Sequence, residues 1–393
     1  MTKVTPDYKF ILIIATRQIG DVLCTTPLMR RARELWPNAV IDVLGYEKTM
    51  GMLAGNPDIN EVIESPEHPR WPEYKTLIRR IFRKYDLAIV TQPSDRAHIY
   101  GLLAAPKRVG IVPTSKLHNW WKKLISFHTV ELDYWKQHVV IERLRLLDKF
   151  YPEIDQESQV RQPLPVSITP PFAEPLPQDL IDFVGTGLTV VIHATPMWQF
   201  KRWPIQNWAE LISALVVEGK RVVLTGSSNQ QDRDLNREIL ARVAQDFPTT
   251  ILSQVRDCAG QLTLRQTTAL LKSAQLYIGV DTSITHLAAA CGTQTIALFG
   301  ATAPPNFGPW PKDVKVTTDV RGIWALRGEE YAGGRARIQT TGNVRIIQGP
   351  GECVPCRKAG CLDKFESHSD CLERLSSTAV ILAFQNHQKI GTE

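Results

Sequence analysis

Apolar runs of strand length recur along the chain, with amphipathic stretches between them. In the first half the runs fall at Phe10–Ala15, Ala39–Leu44, Glu61–Ile63, Leu87–Thr91 and Arg108–Val112. A helix is predicted from Thr26 to Trp36, where Pro27 suits the first turn, and an amphipathic helix over His138–Phe150 closes this half. The alternation predicts an open parallel sheet with helices on both faces. Arg161–Asp182 is dense in proline, which opposes regular structure and reads as a linker. A second alternation follows. Strands are predicted at Leu188–His193, Arg221–Thr225, Leu276–Val280 and Thr295–Phe299. Helices are predicted at Pro204–Glu218, Asp232–Val243, Thr263–Ala274 and Ser283–Ala290, the last stopped by Gly292. Short strands at Asp313–Val316, Ile338–Thr341 and Val344–Gln348 and a last helix over Ser376–His387 complete the pattern. The expected fold class is α/β: two Rossmann-like domains facing a cleft, 1–178 (linker about 161–182) and 183–375, with a C-terminal helix in 376–393. Ligands of such sheets sit outside the carboxyl ends of the strands.

The stretch Leu276–Pro305 carries the clearest chemistry. It reads as strand, turn, helix and strand, so the helix begins at the carboxyl end of a parallel strand. Free amides and the positive end of the helix dipole point out there, which suits a diphosphate. Asp281 and Thr282 offer capping side chains, and the small Ser283 and Thr285, with His286 one turn in, leave room for phosphate oxygens. In the loop after the first strand of the second half, Lys201 and Arg202 precede a helix, where cations stabilise the charge of a departing diphosphate without a metal. Gly226 to Asn229 ends another strand at the same edge. The Asp232-Arg-Asp234 triplet is expected on a solvated helix face, because i and i+2 side chains diverge. In the first half, Gly20 and Asp21 are expected in a loop after strand one. Gly20 admits a close substrate there, and the Asp21 carboxylate can take a proton from an attacking hydroxyl.

Composition narrows the function classes. The chain has 393 residues, 43% hydrophobic and 22% charged, with net charge +6. This is a globular composition large enough for two domains, and its charge favours anionic partners. No run reaches the roughly 18 apolar residues of a membrane span. The apolar patch near the N-terminus fits a strand better than a signal peptide, so the expected compartment is the cytoplasm, where thiols stay reduced. Basic residues are not grouped in one tract and no nucleic-acid motif is present, so nucleic acid is not an expected partner. Loops for dinucleotide or P-loop binding are absent, as are the zinc-protease and serine-hydrolase motifs. Four of the seven cysteines form Cys353-x2-Cys356-x4-Cys361-x9-Cys371. Such thiols can hold a structural zinc, although the spacing is not that of a standard finger and free thiols remain an alternative.

Three segments together resemble one family: Arg17-Gln-Ile-Gly20-Asp21-Val-Leu-Cys-Thr-Thr-Pro27, His193-Ala-Thr195-Pro followed by Lys201-Arg-Trp-Pro204, and Gly279-Val-Asp281-Thr282-Ser283-Ile-Thr285-His286-Leu. The chain is similar to the ADP-heptose:lipopolysaccharide heptosyltransferases, inverting glycosyltransferases of the GT-B fold. Its cysteine block is similar to that of the branch adding the third core heptose. The resemblance implies Asp21 as general base, with Arg17 and Gly20 beside the substrate. It implies Lys201 as the diphosphate-binding lysine, Asp281 to His286 as the turn holding the nucleotide sugar, and Thr195 and Gly226 in the same donor site. Pro196 replaces a second family threonine, and Gln230, Gln231 and Asp232 stand where the family places an acidic ribose contact. The implied partners are an ADP-heptose donor and a phosphorylated, lipid-linked oligosaccharide acceptor, with peripheral contact to the inner membrane. No cofactor is required for catalysis. A nucleotide-sugar epimerase or hydrolase on the same fold is the alternative.

Overall fold

A computed structural model describes residues 6–114, 119–132, 137–150, 164–185, 187–316 and 322–390. These divide into two units: Met1–Phe172 with Asp313–Gly322, and Ala173–Lys312 with Ile323–Glu393. The division falls upstream of the expected 178/183 boundary, and the return of Asp313–Gly322 to the first unit carries no signal in the sequence.

The first unit is a six-stranded, all-parallel sheet of β1 (Phe10–Ala15), β2 (Val40–Tyr46), β3 (Glu61–Ser65), β4 (Leu87–Val90), β5 (Lys107–Val112) and β6 (His128–Glu131), in the order β3-β2-β1-β4-β5-β6. A parallel sheet covered on both faces needs apolar residues throughout each strand, and Ile11 to Ile14 are fully buried. Burying each such side chain contributes about 1.5–3 kcal/mol. Helices Trp71–Ile81 and Asp95–Ala104 cover one face through Leu77, Ile81, Ala97 and Tyr100. The expected helix over His138–Phe150 is α-helical only at Val139–Leu144 and tightens into a 3-10 helix over Arg145–Phe150.

The proline-rich stretch is more regular than its composition predicts. Residues 161–163 lie outside the described residues. Leu164–Val166 forms β7, and helix Gln178–Val184 starts directly after Pro177. Proline takes its place at the helix entry, which it tolerates.

The second unit contains β8 (Thr189–His193), β9 (Arg221–Leu224), β10 (Val255–Asp257), β11 (Leu276–Val280) and β12 (Gln294–Phe299). After β13 (Val314–Val316), which pairs antiparallel with β7 in the first unit, come β14 (Glu329–Tyr331), β15 (Ala336–Thr341) and β16 (Val344–Gln348). The eight-stranded order is β10-β9-β8-β11-β12-β16-β15-β14, parallel up to β16 and antiparallel across β15 and β14. Helix Ile205–Val217 packs Trp208, Leu211, Ile212 and Leu215 into the core, together with Val380, Ala383 and Phe384 of the final helix Ser377–Ile390. The Trp203 indole N–H donates to the Leu375 carbonyl at 2.7 Å, anchoring that helix's approach.

Gly279 in β11 has a specific reason to be glycine. A Cβ there would lie 2.3 Å from the Tyr277 hydroxyl. Its absence lets that hydroxyl reach Thr285 at 2.8 Å, beneath the start of helix Ser283–Cys291. Gly292 ends the helix in the left-handed conformation at φ 83°.

Candidate active site

In the first unit the expected loop after β1 is a short helix, Ile19–Leu23, and it contains Gly20 and Asp21. Asp21 is therefore presented from a fixed turn rather than an open loop. Arg143, buried in Val139–Leu144, grips it twice: one guanidinium nitrogen donates to the Asp21 carbonyl and another to Oδ1, both at 2.6 Å. Thr25 Oγ1 donates to the same carbonyl at 2.8 Å. Arg17 Nε stands 3.7 Å from Oδ2. The Asp21 side chain keeps 21% of its surface exposed, against 3% for Arg143. The result is a positioned carboxylate with one oxygen anchored and the other facing outward beside Arg17. The sequence reading missed Arg143. It stands beside Glu142 in an amphipathic stretch, where a charged residue is ordinary.

One basic side chain of this unit turns inward. Lys122 is 2% exposed; its ammonium pairs with Asp95 at 2.6 Å and donates to the Pro93 carbonyl. Trp71 and Trp120 remain 76% and 64% exposed. Each begins a helix after the carboxyl end of a parallel strand, β3 and β5. That is the edge where Asp21 follows β1.

In the second unit the strand ends gather the expected donor-side residues. Lys201, at the end of the 3-10 turn Gln199–Lys201, places Nζ 2.6 Å from Asp281 Oδ2, directly after β11. Burial alone would raise the Asp281 pKa. The Lys201 cation, its hydrogen bond, His286 and the Thr302 hydroxyl outweigh burial and hold the carboxyl below its usual value. Thr282 caps the helix by accepting from the Thr285 amide, and Ser283 is half-buried at the same end. Thr285 takes a different place from the expected one. It is fully buried, and its hydroxyl is bound to the Val280 carbonyl and Tyr277, so it supports the turn from below instead of facing a ligand.

His193 ends β8 and joins this group. Its Nδ1 lies 2.9 Å from Thr225 Oγ1 and its Nε2 3.4 Å from Thr195 Oγ1. Burial pushes the imidazole pKa down to about 4, against the pull of Asp232, so it is neutral near pH 7. Asp232 is not on a solvated face. It is buried, and its Oδ2 accepts the Ser227 amide at 2.8 Å. A Cβ on Gly226 would lie 3.3 Å from Asp232 Cβ and 3.5 Å from Thr195 Oγ1, so this glycine brings the two loops together. Thr195, Lys201, Gly226, Asp281, Thr282, Ser283 and His286 therefore lie at one edge of one sheet.

The four cysteines of the block differ in exposure. Cys371 is buried, Cys356 half-buried, and Cys353 and Cys361 exposed. Burial pushes the Cys371 thiol up to about 12, with smaller contributions from Cys356, Cys361 and Cys353. Among the described residues, the compact group of metal-capable donors is Cys361, His368 and Asp370, with ligand atoms all within 4.8 Å of one another.

A family profile described as glycosyltransferase family 9 (heptosyltransferase) matches residues 74–323. The chain is 32% identical over 303 residues to lipopolysaccharide heptosyltransferase 3 of Escherichia coli, covering 75% of this chain and 84% of that protein. The chain belongs to glycosyltransferase family 9. Another family 9 relative, lipopolysaccharide heptosyltransferase 2 of Salmonella typhimurium, is 26% identical over 335 residues, covering 82% of this chain and 92% of its own length. Two solved structures share the fold. E. coli ADP-heptose LPS heptosyltransferase II matches at TM-score 0.68 and 20% identity, covering 96% of this chain and 97% of its own. E. coli heptosyltransferase WaaC with ADP matches at 0.65 and 19%, covering 96% and 99%. The α/β, GT-B-type fold expected from the sequence is the fold of these heptosyltransferases. The family 9 chain is a glycosyltransferase, and the epimerase or hydrolase alternative finds no support among these relatives.

Proposed function

We propose that this family 9 enzyme transfers heptose from ADP-heptose to a sugar hydroxyl of the lipopolysaccharide inner core, with inversion, in the manner of the third-heptose branch. The observation that carries the reading is the Lys201–Asp281 pair at the start of helix Ser283–Cys291. An ammonium has three donors. Asp281 holds one of them, which fixes the direction of the others toward an anion. The helix start adds about 0.3–2 kcal/mol of dipole stabilisation.

The reaction divides between two groups. Asp21 accepts the proton of the acceptor hydroxyl. That oxygen forms its bond to the anomeric carbon as the bond from that carbon to the diphosphate oxygen breaks. ADP departs with the electron pair, and Lys201 and the helix amides take up its charge. Arg143 keeps Asp21 in one orientation throughout. No metal has a role in these steps. Asp232 accepts the Ser227 amide through Oδ2, which shapes the donor loop.

No described helix is long and apolar enough to cross a membrane. The exposed Trp71 and Trp120, beside Arg70, Lys75 and Lys123, fit peripheral contact with an anionic membrane carrying a lipid-linked acceptor. One assay tests both readings: ADP release from ADP-heptose, with heptose-bearing acceptor presented in anionic vesicles. Release should require the acceptor, and the Trp71→Ser/Trp120→Ser variant should raise KM for vesicle-borne acceptor alone. Equal release without acceptor would mark a hydrolase. An unchanged KM in the double variant removes the membrane reading.

A further inference from the structure

Residues 349–369 carry no helix or strand. Irregular segments beyond about 12–15 residues are uncommon in folded domains unless something fastens them. This one also holds Arg357 and Asp363 at φ 64° and 53°, left-handed conformations that need outside support. Apolar burial is not the fastener throughout, since Leu362 and Phe365 are 67% and 51% exposed.

The loop instead converges on ligand atoms. The Cys361 amide donates to the His368 carbonyl at 2.9 Å, closing the turn. The Asp370 amide donates to Cys361 Sγ at 3.4 Å. His368 Nε2 stands 3.1 Å from Asp370 Oδ1. A tetrahedral zinc with bonds of about 2.0–2.3 Å separates its ligand atoms by about 3.3–3.8 Å, so the trio needs little rearrangement to close around an ion. We propose that Cys361, His368 and Asp370 bind one divalent cation of borderline softness, zinc or ferrous iron. Sulfur, imidazole and carboxylate together suit such ions and not magnesium or calcium.

The site is structural and acts on the donor side. Phe365 stacks on Trp198 with ring centres 4.3 Å apart. A Cβ on Gly360 would lie 2.9 Å from Phe200 Cβ. The Arg357 amide donates to the Ala301 carbonyl at 2.8 Å. The fastened loop therefore braces both the turn that presents Lys201 and the segment leading to Thr302, which bonds Asp281.

The test uses the full chain without an affinity tag, reduced, stripped with a chelator and reloaded with zinc chloride or ferrous salt. Elemental analysis should give about one ion per chain, and stripping should lower Tm and weaken ADP binding severalfold. Cys361→Ser and His368→Ala should each retain less than about a tenth of an equivalent, while Cys353→Ser keeps full loading. Uptake of only one of the two metals identifies the ion. Failure of the reduced wild-type chain to take up either metal overturns the site, and so does full loading of Cys361→Ser. Loss of metal in Cys353→Ser overturns the ligand assignment. Metal content is read without turnover, so the result stands apart from the transfer reaction proposed above.

Discussion

The two units build their reactive groups with opposite polarity from the same device. In the first, the cation is hidden and the anion presented: Arg143 is 3% exposed and Asp21 21%. In the second, the anion is hidden and the cation presented: Asp281 is 9% exposed and Lys201 24%. Each buried partner is a counter-ion that fixes where the exposed one points. A fork-shaped guanidinium suits the first case, because it binds the carboxylate and the backbone carbonyl of one residue together. A carboxylate suits the second, because it occupies one donor of an ammonium and leaves the rest. A base must be held in one direction, whereas a charge acceptor for a moving phosphate benefits from a flexible stem.

The largest expected effect breaks the first half of this comparison. Asp21→Asn keeps the shape and the Arg143 contact at the carbonyl but removes the base. kcat should fall by about 10²–10⁴ while ADP binding by calorimetry stays unchanged. Turnover near the wild-type value would place the base elsewhere. Lys201→Gln breaks the second half and should behave differently. kcat falls by about 10² and ADP affinity falls with it, because the cation meets the diphosphate before and during departure. A variant with normal ADP affinity would remove Lys201 from the donor site.

The smallest effect concerns a feature the units share. His98 in the first and His193 in the second are both buried, and burial pushes each pKa down to about 4. The ordinary value is 6.5, so between these limits the unfolded chain binds protons that the folded chain refuses. Stability is therefore complete above about pH 6.5 and declines as pH falls toward 4, by up to about 3 kcal/mol per histidine. Tm measured from pH 7.5 to 4.5 should fall, and His193→Gln should flatten the slope. An unchanged slope would show that His193 takes up its proton in the folded state.

The apolar runs revealed the frame because burial on both faces of a parallel strand demands them. Phe10–Ala15 and Leu276–Val280 match β1 and β11 residue for residue. The motif positions were legible for the same reason, since each lies in the segment that follows a strand. What stayed hidden is the direction of side chains, which depends on distant packing. Thr285 looks available in the sequence and is turned inward. Asp232 looks solvated and is folded back on Ser227. Arg143 lies 122 residues from Asp21, so no local spacing links them. His368 and Asp370 escaped notice because the cysteines alone suggested a ligand set.

The tyrosine beneath Gly279 has one more consequence. Its hydroxyl holds the first turn of helix Ser283–Cys291 from the strand side, so the amides there are already aligned before any nucleotide arrives. A ligand meeting a finished cradle loses little freedom in arranging it, and more of the contact energy remains as affinity.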